Sequence, residues 1–168
     1  MFLYPASIKY LENHSINIDK LYEELYEDKI YWVKEKVRHL TKEEKEDEAK
    51  DFRVEGYKED EIIKKVNHMR VLLDTSVVLV KKGEKPKSTD RIKYTKTIPY
   101  PFLISYIEQH IIRGKKWKIL YNNPVYDIEF NNVILNFNKK KFYTIEEVIT
   151  AFLCYLKVNN LLKYNSQK

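Results

Sequence analysis

Between residues 117 and 138 apolar side chains recur at every second position through three consecutive runs. This repeat limits most of what the chain can fold into. Trp117, Ile119 and Tyr121 alternate with Lys116, Lys118 and Leu120; Tyr126, Ile128 and Phe130 with Val125, Asp127 and Glu129; Val133, Leu135 and Phe137 with Ile134, Asn136 and Asn138. A period of two places alternate side chains on opposite faces of a strand. Asn122-Asn123-Pro124 and Asn131-Asn132 separate the runs, and paired asparagines tolerate the positive φ of tight hairpins. The apolar face of such a sheet needs cover, and the next segment supplies it. Thr144-Ile-Glu-Glu147 has capping-box spacing and opens a helix through Ile145, Val148, Ile149, Phe152, Leu153 and Leu156. The expectation is a three-strand antiparallel meander under a C-terminal helix.

The N-terminal half reads differently. Residues 1–14 form an irregular lead-in. From Asn17 the spacing of Ile18, Leu21, Tyr22, Leu25, Val33, Val37 and Leu40 predicts a helix, with Asp19, Glu23 and Glu24 suited to its dipole. Thr41-Lys-Glu-Glu44 is a second capping box, and the charged run after it, an exposed helix or a connector, stops at Gly56. A helix over about 58–74 carries Ile62, Val66, Met69 and Leu73 on one face. Ser76–Val80 is short, continuous and β-branched, the pattern of a buried strand. A basic loop and a second strand over 91–98 follow. Pro99 and Pro101 then start a helix with Leu103, Ile107 and Ile111 at four-residue spacing, capped by Gly114. The order gives an α+β class, with a helical N-terminal region (1–56), partly an appendage, and an α+β core domain (57–168).

Composition is globular: 43% of residues are hydrophobic, with only three glycines and five prolines. Lysine, isoleucine, asparagine and 14 tyrosines suit an AT-rich genome, so charge layout carries more weight than residue counts. The net charge of +6 divides into −4 over residues 1–75 and +10 over 76–168. That asymmetry points the C-terminal half at something acidic, a nucleic acid or an acidic protein surface; the plain alternative is a solvated lysine-rich face. Cys154 is the only cysteine, so no internal disulfide is possible and a reducing, intracellular compartment is expected (cytoplasm or nucleus). No run approaches the roughly 18 apolar residues of a membrane span.

Motifs for catalysis or cofactors are missing. His14, His39, His68 and His110 have no ligand-type spacing, and Cys154 sits in an apolar run as a small buried hydrophobe would. Phosphate-cradling loops need several glycines close together, so no cofactor is expected. Asp127 and Glu129 share one strand face and suit a metal-dependent nuclease, but the usual Glu-x-Lys partner is missing; their other reading is the wet face of the meander. Three basic clusters remain: Lys81, Lys82, Lys85 and Lys87; Arg113, Lys115, Lys116 and Lys118; Lys139, Lys140 and Lys141. Cations so spaced contact phosphates without reading sequence. Trp117, Tyr121 and Tyr126 suit base stacking, but alternation puts them under the 145–156 helix as core.

The order helix–strand–loop–helix–strand–strand over 57–138 resembles the omega-type small subunits of RNA polymerases. The likeness lies in "GYKEDEIIKKVNHMRVLLDTSVVLV", a helix ending in an apolar strand, and "YPFLISYIEQHIIRGKKWKILYNN", an apolar helix, basic turn and strand. The family's Thr-x-Tyr-Glu opening is absent; only Tyr57 with Glu59 or Glu61 approaches it. The resemblance implies a non-catalytic role in assembly, with the helices bearing Ile62, Val66 and Met69 and Leu103 and Ile107 clamping a larger subunit. The sequence thus leads to a non-catalytic subunit of a nucleic-acid machine. Its alternatives are a stand-alone basic DNA- or RNA-binding protein and a protein-interaction module or inhibitor.

Overall fold

Helix α6 (Ile145–Val158) is apolar around much of its circumference, and three elements of the chain pack on it. In the computed structural model, which describes residues 1–163, helices α1 (Pro5–Asn13) and α5 (Tyr100–His110) and strand β5 (Val125–Phe130) all contact it. Val148, Ile149, Phe152, Leu153 and Leu156 are fully buried. The remaining elements are α2 (Ile18–Glu24), α3 (Lys42–Glu55), α4 (Glu59–His68), β1 (Lys29–His39), β2 (Arg70–Lys81), β3 (Ile92–Thr97), β4 (Trp117–Asn122) and β6 (Val133–Ile134). Two three-stranded sheets form, in the orders β2-β1-β3 and β4-β5-β6. The class is α+β, as expected.

The chain divides into two compact units. The first comprises Met1–Trp32, Leu79–Gly83 and the chain from Lys96 onward; the second comprises Val33–Val78 and Glu84–Thr95. The N-terminal residues therefore join the C-terminal part of the chain instead of forming an appendage with 33–56. The reason is hydrogen bonding: Leu3 N donates to Ile98 O (3.1 Å), Tyr100 N to Met1 O (2.8 Å), and the Thr97 hydroxyl to Leu3 O (2.5 Å).

In the first unit the meander follows the alternation. Trp117 pairs with Phe130, Ile119 with Ile128 and Tyr121 with Tyr126, so these side chains share the face toward α6. Phe152 lies 5.1 Å from the Trp117 ring and 5.7 Å from Phe130. Asn131 and Asn132, at φ 51° and 66°, form the hairpin turn their type favours. The third strand is cut to two residues, and Asn138 and Lys139 take positive φ in the turn that follows it. Thr144 caps α6, its hydroxyl accepting from Glu147 N (3.2 Å) and donating to the Glu147 carboxylate (3.0 Å). Buried Tyr22 ties β1 to β3: its hydroxyl donates to Thr97 O (2.5 Å) and accepts from Tyr31 N (3.2 Å).

In the second unit α3 and α4 pack around Ala49, Ile62 and Val66, with Phe52 and Met69 against them. Thr41 and Glu44 form the full reciprocal capping box, and Gly56 closes α3 at φ 93°. Arg38 grips Glu44 through two bonds of 2.7 and 3.1 Å.

Five expectations change. Residues 5–13 are helical, begun by Pro5 at the first turn. The helix from Asn17 ends at Glu24, Tyr26 takes φ 57°, and 29–39 is a strand. Val33 and Val37 share one face of a strand as well as of a helix, because four is both an even number and about one helical turn. The same ambiguity extended the 58–74 helix: α4 stops at His68, and Leu73 belongs to β2. The apolar run 76–80 is not buried; β2 is an edge strand with Leu72, Leu73 and Leu79 54%, 59% and 49% exposed. Gly114 does not cap α5, which ends at His110; it sits in the following turn at φ 88°.

Two outcomes follow. Phe152→Ala removes a fully buried ring and is expected to cost about 3–5 kcal/mol in denaturant unfolding followed through tryptophan emission; a loss below about 1 kcal/mol would contradict this packing. The guanidinium of Arg38, with the Thr41 amide, holds the Glu44 carboxyl at about 2, below its ordinary 4.5. A depressed carboxyl stabilises the fold above its unfolded value, and that contribution is lost as pH falls from 4.5 toward 2. Glu44→Gln should flatten acid unfolding within that window, and an unchanged acid limb would refute the assignment.

Candidate nucleic-acid interface

The basic turn 113–116 links α5 to β4 and is held by the hairpin turn beside it. Lys116 N donates to the Asn131 side chain (3.1 Å), and Asn131 N donates to Lys116 O (2.8 Å). Arg113 and Lys116 are exposed and Lys115 half-buried. The run 139–141 is held in its own tight turn. Lys139 N donates to Asn136 Oδ1 (2.6 Å), and the Lys140 ammonium lies 5.4 Å from the Phe142 ring centroid. Phe142 bridges to Tyr126, whereas Lys116 adjoins the Phe130 end of the same strand. The two clusters are thus separated by the length of β5, roughly 13 Å at about 3.3 Å per residue. Of the remaining lysines, Lys81 and Lys82 belong to the first unit and Lys85 and Lys87 to the second.

Of the eleven predicted cations, Lys118 alone forms an ion pair among the described residues, with Glu129 at 3.3 Å. Other ion pairs occur in both units: Lys96 with Asp19 at 2.8 Å in the first, and Arg38 with Glu44 and Arg53 with Glu59 in the second. The cations of the turns 113–116 and 139–141 therefore form no ion pair among the described residues. Partly exposed cations are screened in water, so the lack of internal partners costs little and leaves them free for phosphate.

The aromatics divide along the meander. Trp117 packs on Phe152 as core, but Tyr121, tilted against Tyr126 at 4.7 Å, is 57% exposed. Asp127 accepts from Asn122 (3.2 Å) and Glu129 pairs with Lys118; among the described residues no cluster of three or more metal-ligating side chains occurs. The side chains expected to clamp a partner are turned inward: Ile62, Val66, Leu103 and Ile107 are buried and Met69 is half-buried. A partner of α4 or α5 would meet the opposite faces of those helices. His110 is buried with Nε2 2.8 Å from the Glu24 carboxylate, a contact the sequence separation concealed.

One feature was not legible in the sequence. A groove of about 750 Å³ runs between α1, α6 and the turn 136–142. Ala6, Ser7, Tyr10 and His14 form the α1 wall, one face of that helix. Thr150, Ala151, Cys154 and Tyr155 form the α6 wall, and Phe137 and Lys140 close the end. Small residues opposite one another leave the space, and aromatic rings border it. The signal lay in α1, whose Tyr10 and His14 share a face only once residues 5–13 are helical. No helix among the described residues is long and apolar enough to cross a membrane. Comparison with protein-family models, curated proteins and solved structures finds no match to this chain.

Cys154, at the groove floor, is 2% exposed, and burial pushes its thiol up to about 12 against the pull of Lys157. A raised thiol stabilises the fold below its unfolded value of 9.0 and loses that contribution as pH rises toward 12. The thiolate, the nucleophilic form, is thus suppressed at neutral pH. Labelling by a thiol reagent at mildly alkaline pH is expected to occur only on unfolding; rapid labelling of the native chain would contradict the burial of Cys154.

Proposed function

We propose that this chain is a non-catalytic nucleic-acid-binding component of a larger assembly, with its first unit meeting the phosphate backbone. The observation that carries the reading is the set of unpaired cations on that unit, Arg113, Lys115 and Lys116 on one turn and Lys139, Lys140 and Lys141 on another. Each cation that meets a phosphate releases condensed counterions, which favours binding without sequence preference. Two fixed turns about 13 Å apart give contacts spaced over several phosphates and not a single anion site.

Membership of an assembly draws support from the second unit. Leu72 and Leu73 are exposed on an edge strand, where a larger protein subunit can pair with the open backbone or cover the side chains. An omega-type role in a transcription complex is the narrower form of this proposal. It rests on the succession of α4, β2, β3, α5, β4 and β5 in the chain, with β3 standing where the resemblance has a loop.

Titration of labelled nucleic acid across a range of salt concentrations tests the proposal. The logarithm of the binding constant should fall linearly with that of salt. Replacing Lys139, Lys140 and Lys141 together by alanine should reduce the slope by up to roughly 2 for single strands, at about 0.7 for each phosphate left without its cation. Absence of binding at low ionic strength, or an unchanged slope in the triple variant, would overturn it.

A further inference from the structure

The α1–α6 groove sits beside the 139–141 turn, with Lys140 in its lining. Its volume of about 750 Å³ falls within the range of small-ligand clefts, roughly 300–1,000 Å³. Tyr10 lies on one wall, 40% exposed, and Tyr155 and Phe137 lie opposite, partly buried. The polar atoms nearby are mostly in local use. Asn136 Oδ1 accepts from Lys139 N, the Thr150 hydroxyl donates to Glu146 O, and Glu147 is bonded to Thr144. Glu147 is the only carboxylate among the described residues of the lining. The Tyr10 ring meets the His14 ring at 4.4 Å, tilted by 41°; the groove therefore offers aromatic rings and positive charge, with few free groups to read a particular edge.

From this we infer that the groove receives an unpaired base of a single-stranded nucleic acid, stacked against Tyr10, with the flanking phosphates at Lys139–Lys141. The inference rests on the nucleic-acid reading above and specifies its form. A duplex keeps its base faces in its own stack and cannot offer them to such a groove. Aromatic stacking accepts every base, since each has a π face, so weak sequence preference is expected. The three successive cations, none ion-paired among the described residues, favour a polyanion over an uncharged small molecule.

Stacking and phosphate contact separate by their salt dependence. Fluorescence anisotropy of the full chain with a mixed-sequence single strand and the matching duplex, each as DNA and RNA, reads both terms. The wild type should bind the single strand more tightly than the duplex. Tyr10→Ala should weaken single-strand binding about tenfold at every salt concentration, with slope and duplex binding unchanged. Tyr10→Phe should restore binding, because it keeps the ring and guards against a folding defect. Lys140→Ala should instead lower the slope by roughly 0.7. The tighter of the DNA and RNA arms identifies the natural strand type. Equal losses for single strand and duplex in Tyr10→Ala, or no loss, would overturn the groove assignment while leaving backbone binding intact. No binding of either polymer at low salt would remove the nucleic-acid reading itself.

Discussion

The burial of α6 is the constraint from which the first unit follows. An apolar helix fixed by a capped N-terminus must be covered on several sides, and α1, α5 and the meander do this. Phe152 is the centre of that packing, touching the rings of Trp117, Phe130 and Tyr155. Once α6 is covered, the meander's alternate side chains have a defined inner face, and its lysines and carboxylates are left outward. The groove is a by-product of the same packing. Where α1 meets α6 through alanine and serine instead of leucine, the helices leave a space that the aromatic residues border and do not fill.

Charge is organised on the same scaffold. The cations lie on turns whose backbone is held by asparagines: Asn131 for 113–116 and Asn136 for 139–141. A fixed turn presents its lysines in one place at little further cost in backbone entropy. In the second unit two internal pairs, Arg38 with Glu44 and Arg53 with Glu59, support a small helical hairpin with a modest core. One chain thus carries one unit with two turns of cations that are not ion-paired among the described residues, and another with an exposed apolar edge strand.

The parts legible in the sequence were those where two signals agreed. The β4–β5 hairpin had both alternation and turn residues, and α6 had both a cap and a dense apolar pattern; α3 had its cap and Gly56. The parts that were not legible had one signal with two meanings. Four-residue spacing at Val33 and Val37 fits a helix and a strand alike, and only the aromatic and β-branched run Ile30–Val33 favours the strand. The β-branched run at 76–80 described strand propensity correctly and burial wrongly, because propensity does not tell an edge from a centre. Residues 5–13 carried little periodic signal; tertiary contact with α6 makes that helix worthwhile, and with it the wall of the groove.

The most direct test of single-strand binding at this surface is ultraviolet crosslinking of the intact chain to single-stranded nucleic acid, with the linked peptides located by mass spectrometry. Links are expected to concentrate at Tyr10 and within 136–142 and 155, with few in the acid-rich helix 42–55. Links clustered on that acidic helix, or no links above those of a non-binding control, would contradict the assignment.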